Sequence, residues 1–176
     1  MMKSIKFRIA FSIICCLSSY HSFSYSDSTI SSKDFKNLIG CWKGTLTYLD
    51  YSSNKPFSMP ANIIVNDFKK RNIIICSMIY PKEPSANSSD TIFISKDGRF
   101  LNNESITAKR NFNKDSLKIV TEITGIDGND NKAAIIRHTY VLSRSTYSIK
   151  KEVLFVGQTS WILRNEYKFT RIKPCS

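Results

Sequence analysis

The chain has 176 residues, with 26 Lys and Arg against 14 Asp and Glu, a formal net charge of +12, and only five Pro and six Gly. This length is typical of one domain, and no linker-like stretch divides the chain in the middle. The cations are scattered rather than gathered in one basic segment, so the charge predicts solvated strand faces and no nucleic-acid partner.

The N-terminus has the order of a secretory signal. Met1–Arg8 carries three cations and no acid, and an apolar run follows at Ile9–Leu17. This run is too short to span a bilayer, and no later apolar segment is longer. Small residues favour cleavage after Ser24 or after Ser26. We therefore expect a secreted or periplasmic mature chain without a transmembrane segment.

A lipoprotein anchored through Cys15 or Cys16 is the alternative, but a bulky residue or a second cysteine would precede the modified position. The expected division is a signal peptide over residues 1–25, a lead-in over 26–39, and one domain over 40–176.

Three cysteines remain after signal removal, in a compartment that permits disulfides. Pairing Cys41 with Cys175 would tie the first strand to the chain end and close a long loop, where a cross-link stabilises most. Cys76 lies in a very apolar run and is expected as a buried free thiol.

From Gly40 onward, short β-rich runs alternate with clusters of Asn, Asp, Gly, Pro and Ser, which predicts an all-β fold. Only Lys33–Leu38, capped by Ser31 or Ser32, looks like a short helical turn. We predict nine strands, near Gly40–Tyr51, Met59–Phe68, Ile73–Tyr80, Thr91–Ser95, Ser105–Asn111, Ser116–Thr124, Ala133–Ser143, Thr146–Val156 and Trp161–Ile172.

Compact turns between these runs indicate sequential hairpins, and one longer loop is expected at Pro81–Ser89. Asp127–Asn131 alternates oxygen-bearing side chains but lacks the glycine and the terminal acid of a calcium loop, so it is interpreted as a turn. Together the runs predict a single antiparallel up-and-down β-barrel of eight or nine strands.

Alternation of side chains places Trp42 and Tyr48 on the inward face of the first strand. In the last strand, one parity includes Trp161, Leu163, Tyr167, Phe169 and Arg171, and Arg171 is the single charge on it.

An early Gly-x-Trp at Gly40–Trp42, followed by an arginine near the end of the last strand, resembles the calycin or lipocalin pattern. The stretch Gly40–Tyr48 is also similar to lipocalin-like domains of bacterial secreted proteins. The resemblance implies that Trp42 seals the closed barrel end, with Arg171, or alternatively Arg164, laid across it. In that family both positions are structural and do not contact a ligand.

The mature chain holds one histidine, His138, which excludes multi-histidine metal sites, and no nucleophile with an orienting group accompanies it. We therefore expect no enzyme and no metal. His138 shares parity with Tyr140, so it is expected to point inward. An axial haem ligand, as in haem-binding barrels, is one option, and a hydrogen-bonded histidine is the simpler one.

Inward aromatic residues could line an apolar cavity, or they could fill the barrel. The leading hypothesis is a monomeric, non-catalytic protein that holds a small apolar or amphipathic ligand. The alternative is an exported interaction or inhibitor protein with a filled core. The residues expected to line the cavity are Tyr48, Phe93, His138, Tyr140, Tyr147, Trp161 and Tyr167.

Overall fold

A computed structural model of the chain describes residues 28–50, 53, 55–66, 72–113 and 115–175. The predicted signal peptide lies outside these residues. No helix in the described part is both long and apolar enough to cross a membrane.

The fold is a single antiparallel sheet that curls into a nearly closed up-and-down barrel, which confirms the predicted fold class. The described residues form ten strands: β1 (Gly40–Asp50), β2 (Lys55–Val65), β3 (Ile73–Ile79), β4 (Ser88–Phe93), β5 (Phe100–Leu101), β6 (Glu104–Asn113), β7 (Ser116–Asp127), β8 (Lys132–Leu142), β9 (Thr146–Phe155) and β10 (Ile162–Ile172). Consecutive strands pair along the chain except at the two edges of the sheet, β4 and β5, and the first strand pairs with the last.

The strand that the sequence does not predict is β5, which has two residues and is too short to show a period of two. β4 begins at Ser88, earlier than expected, so the predicted loop at Pro81–Ser89 is shorter. That loop contains a 3-10 turn at Pro84–Ala86.

The barrel closes where β4 meets β5. Ile94 bridges to Leu101, and the Asn102 amide donates to the carbonyl of Phe93 at 2.8 Å. In the described part of the chain, β6 pairs with β7 only as far as Glu122. The rest of β7 therefore has no partner on that side, and the barrel wall is incomplete there.

The end of the barrel that contains Trp42, here called the lower end, is filled. Buried side chains from β1 to β10 form one core, and its largest members include Trp42, Ile63, Ile74, Ile94, Leu101, Ile119 and Tyr147. The burial of such apolar side chains is the main source of stability in a domain of this length.

A 3-10 helix at Ser32–Leu38 covers the lower end, at the position predicted for a helical turn. The Ser31 amide donates to the Asp34 carboxylate at 2.7 Å, which caps the helix. The helix buries its own residues Phe35 and Leu38 against the core, and the Trp42 indole donates to the Leu38 carbonyl at 2.9 Å. The helix is therefore fixed to the core by apolar contact and by one buried hydrogen bond.

Arg171 lies over Trp42, with its guanidinium carbon 4.0 Å from the ring centroid. It also donates to the carbonyl oxygens of Asn37 and Ile39, which joins β10 to the helix and its following residue. This is the arrangement that the sequence resemblance implies for Arg171. The alternative, Arg164, lies elsewhere.

A disulfide joins Cys41, on β1, to Cys175, and their Cα atoms are 5.4 Å apart. Cys76 is a buried free thiol. Burial raises the pKa of this thiol to about 11, with a further contribution from the negative charge of Asp90.

Candidate functional site

The upper half of the barrel differs from the lower half because its inward side chains are only partly buried. Five of them pack on the core and still keep solvent exposure: Leu46, Met78, Tyr80, Ile149 and Tyr167. Inward side chains of a filled barrel would be buried throughout. The upper half is therefore partly open.

The strand register places four of the apolar and aromatic residues in one row. Tyr140 lies opposite Ile149, Ile149 opposite Tyr167, and Tyr167 opposite Leu46. We call this row, across β8, β9, β10 and β1, the apolar row. The Tyr167 hydroxyl lies 2.9 Å from the hydroxyl of Tyr80, which follows β3, so these two side chains meet inside the barrel.

Directly above the apolar row lies a row of polar side chains, here called the polar belt. Thr121 lies opposite His138, His138 opposite Lys151, Lys151 opposite Asn165, and Asn165 opposite Tyr48. The belt therefore runs across five adjacent strands, β7 to β10 and β1. Above it, β7 to β10 carry a second apolar row, which consists of Ile123, Ile136, Val153 and Ile162.

Glu104 reaches the polar belt from the first position of β6. Its Oε2 accepts a short hydrogen bond from the Thr121 hydroxyl and lies 2.9 Å from Nδ1 of His138. The carboxylate thereby fixes the orientation of the imidazole, whose Nε2 is the nitrogen left for another partner. Burial raises the pKa of the neighbouring Tyr140 well above its usual range, and the charge of Glu104 raises it further.

A second charged cluster joins the belt through Lys151. Oδ1 of Asp127 accepts from Lys151 Nζ at 2.8 Å, and Oδ2 accepts from Arg164 Nε at 2.5 Å. Burial raises the pKa of Asp127, but the hydrogen bonds and charges of Lys151 and Arg164 outweigh it, and the pKa lies below its usual value. Asp127 is therefore held ionised between two cations.

An open cleft of about 410 Å³ lies beside this cluster, between the β7–β8 and β9–β10 connections. Asp127, Phe155, Ile162 and Arg164 are among its walls, and Arg164 also lies 5.4 Å from the Phe155 ring centroid. Asp127 and Arg164 therefore border this cleft, although both side chains are mostly buried.

Of the residues expected to line the cavity, Tyr48, His138, Tyr140 and Tyr167 lie in the apolar row or the polar belt. Glu104 contacts Nδ1 of His138, so Nε2 is the nitrogen that would bind a haem iron. Haem binding itself is untested and stays a prediction.

The other three expected lining residues do not belong to the open part. Phe93 is 37% exposed between the buried Ile92 and Ile94, so it points outward. Trp161 stacks on Arg137, with the guanidinium carbon 3.7 Å from a Trp161 ring centroid, on the outer wall. Tyr147 is fully packed in the lower core.

Sequence reasoning does not place Lys151, Glu104, Asp127 or Arg164 in the site; it interprets Asp127 as part of a turn and Arg164 as the alternative partner of Trp42. Lys151 shares parity with Tyr147 and Ile149, and this inward charge was the available signal. The position of Arg164 in the sequence does not indicate an inward side chain. A bulge between Leu163 and Asn165 changes which residues of β10 face inward, and alternation along the sequence does not show it.

Fold and site together define an antiparallel β-barrel with a filled lower half and a partly open, polar-belted upper half. The structure is similar to that of Rv2717c from M. tuberculosis, with a TM-score of 0.53, 10% sequence identity, and coverage of 80% of this chain and 96% of that one. At this identity the similarity shows the fold alone.

A second structure, BF2706 from Bacteroides fragilis NCTC 9343, aligns with a TM-score of 0.38 and 8% identity over 80% of this chain and 52% of that one. No protein-family profile matches the sequence, and no curated protein shows significant similarity to it.

Proposed function

We propose that the chain is an exported, non-catalytic binding protein that holds a small amphipathic ligand in the upper half of its barrel. One observation carries the proposal: inward apolar side chains such as Leu46, Ile149 and Tyr167 stay partly exposed while the lower half is filled. Exposed apolar surface inside a barrel favours an apolar occupant, because covering it releases water.

The polar belt supports an amphipathic rather than a wholly apolar ligand. The apolar row, with Ile149 and Tyr167, lies directly below the belt, with Lys151 and His138. A ligand that placed its apolar part on the row and its polar end at the belt would match both surfaces without burying an unpaired polar group.

The direct test is fluorescence of the neutral probe N-phenyl-1-naphthylamine with the exported chain, together with native mass spectrometry for a bound ligand. We expect saturable binding of the probe. Ile149→Trp should fill the space beside the apolar row and lower the affinity at least tenfold. Ser148→Trp, on the outward face of the same strand, is the matched control and should bind as the wild type does.

Absence of probe binding together with a bare mass would overturn this proposal. The alternative would then be an interaction protein acting through its outer wall. That alternative has one specific support, the partly exposed pair Arg137 and Trp161, because Trp and Arg are enriched among the residues that dominate protein interfaces. Leu163, which is 47% exposed, is the neighbouring apolar residue on β10.

A further inference from the structure

We propose that the upper part of β7 is a docking site for an extended peptide segment of another protein, which pairs with the free backbone edge of this strand. The site belongs to the wall of the barrel and does not depend on a ligand in its interior.

The free edge of β7 begins where its pairing with β6 ends. In the described part of the chain, Glu122 is the highest residue of β7 that has a partner on β6, whereas β7 stays paired with β8 as far as Asp127. The four residues from Ile123 to Ile126 are all exposed, on both faces of the sheet. The lack of a neighbouring strand on one side accounts for this exposure.

The pairing pattern identifies the free backbone groups. The Val156 amide on β9 donates to the Ala133 carbonyl, so the backbone groups of the following residue on β8 are directed toward β7. That residue lies opposite Gly125, whose amide and carbonyl are therefore directed toward β8. Because the direction alternates along a strand, those of Thr124 and Ile126 are directed away from β8. No hydrogen bond within the described residues reaches these four groups.

The space beside this edge accommodates an added strand. Lower in the barrel, β5 and β6 lie between β4 and β7, and this hairpin ends at the turn Asn102–Asn103. Above the turn, β4 and β7 are separated by two strand positions, which is about 14 Å at the usual spacing of neighbouring strands. An extended peptide can therefore pair with β7 without displacing β4.

Of the two strands that border this space, β7 is the less protected. On β4, the Phe93 amide donates to the side chain of Asn102, so the Thr91 amide has the same direction, but it already donates to the Asp90 carboxylate at 2.6 Å. The segment Ile123–Ile126 has no charge, no proline and no bulge, which are the features that commonly prevent strand addition.

The edge fits a single peptide better than a second copy of this chain. Two copies that paired through β7 would be related by a two-fold axis perpendicular to the sheet. Both walls would then curve to the same side, and the two barrels would collide. A peptide segment brings no such wall with it, and its backbone supplies the donors and acceptors that the edge requires.

The side chains at the edge favour an apolar peptide with an aromatic residue. Ile123, on the inner face, is 38% exposed, and Ile126, on the outer face, is 61% exposed, so an added strand would cover one on each face. Between them, a Cβ at Gly125 would meet only the end of the Ile136 side chain, at 3.4 Å. An aromatic ring on the added strand can cover an edge glycine of this kind.

The test selects binders to the exported chain from a phage-displayed library of random heptapeptides and then follows amide hydrogen exchange by NMR. In the free chain, Thr124 and Ile126 should exchange fast and Gly125 slowly. The tightest synthetic peptide should slow exchange at Thr124 and Ile126 at least tenfold. Methylation of alternate peptide nitrogens should abolish binding in one phase and leave it intact in the other, because only one set of amides is directed toward β7.

Thr124→Pro removes an N–H that the folded chain does not use and should lower the affinity for the peptide at least tenfold. Thr124→Val keeps this N–H and a branched side chain, so it is the matched control and should bind as the wild type does. The exchange measurement on the wild-type chain decides the matter even if Thr124→Pro folds poorly.

Failure to enrich any peptide would overturn the inference, as would a selected peptide that leaves exchange at Thr124 and Ile126 unchanged. Protection of both amides that rises with the concentration of the free chain would mean that a second copy occupies the edge, and would also overturn it. None of these outcomes affects the binding of N-phenyl-1-naphthylamine inside the barrel, so the proposed function is tested separately.

Discussion

Gly44 on β1 lies directly against the backbone carbonyl of Lys168 on β10, so that a Cβ atom at Gly44 would overlap this oxygen and touch the Phe169 ring. The two strands pair at this level, and Gly44 lies opposite Phe169. The close approach requires a residue without a side chain. We expect Gly44→Ala to lower the free energy of unfolding by about 1–3 kcal/mol, because β1 and β10 must separate. Urea unfolding measures this change.

Gly125 provides the control for Gly44. It also lies inside a strand, but a Cβ there would meet only the end of the Ile136 side chain, at 3.4 Å. Gly125→Ala should change stability by less than about 0.5 kcal/mol. Equal effects of the two substitutions would contradict the close approach of β1 to β10.

The contact of Arg171 with Trp42 is expected to contribute measurably to stability. Arg171→Met removes the stacked cation and leaves the carbonyls of Ile39 and Asn37 without their donor. We expect a loss of about 2 kcal/mol or more in the free energy of unfolding. Chemical denaturation monitored by tryptophan fluorescence would show it.

Arg110 is the control for Arg171, since its guanidinium lies 5.2 Å from the ring of the exposed Phe112. Arg110→Met should cost less than about 0.5 kcal/mol. Similar losses of stability in both variants would show that the effect follows from removing any arginine, and not from the contacts of Arg171 at the lower end of the barrel.

The sequence predicts much of the fold because alternation is regular along most strands. The period of two in β1 and β8 places Trp42, His138 and Tyr140 inward, and the structure agrees. The residue types in the turns predict the hairpins. Strand β5, at the edge where the barrel closes, has two residues and is too short to show any pattern.

The candidate site is less predictable, because it depends on one irregularity and on distant pairing. The bulge after Leu163 leaves Tyr167 inward as predicted but places Trp161 outside and turns Arg164 toward Asp127. No glycine or proline marks this bulge. Asp127 is interpreted from sequence as part of a turn, since its two cationic partners come from strands much later in the chain.

The thiol of Cys76 should be unreactive in the folded protein. Burial, and then the charge of Asp90, raises its pKa to about 11, so the thiolate is scarce at pH 8. We expect slow reaction with 5,5′-dithiobis(2-nitrobenzoate) at pH 8, faster reaction as the pH approaches 11, and rapid reaction in denaturant. Mass spectrometry after labelling should locate the label on Cys76. Fast labelling of the native chain at pH 8 would show that the thiol is accessible.

Asp127 should make stability depend on pH in a defined direction. Its pKa is lowered in the folded state, so its contribution is complete above the unfolded-state pKa, near 4, and is lost as the pH falls through the folded-state value. We expect Asp127→Asn to cost on the order of 1 kcal/mol at pH 7. The difference from the wild type should shrink as the pH falls below about 4.

Urea unfolding of both proteins between pH 7 and pH 3 tests this expectation. Asp130→Asn is the matched control on the same turn, because Asp130 pairs with Lys132 and both side chains are largely exposed. It should match the wild type at every pH. A difference between wild type and Asp127→Asn that grows as the pH falls would reverse the assigned sign. Such a result would mean that Asp127 is stabilised in its protonated form, contrary to its place between Lys151 and Arg164.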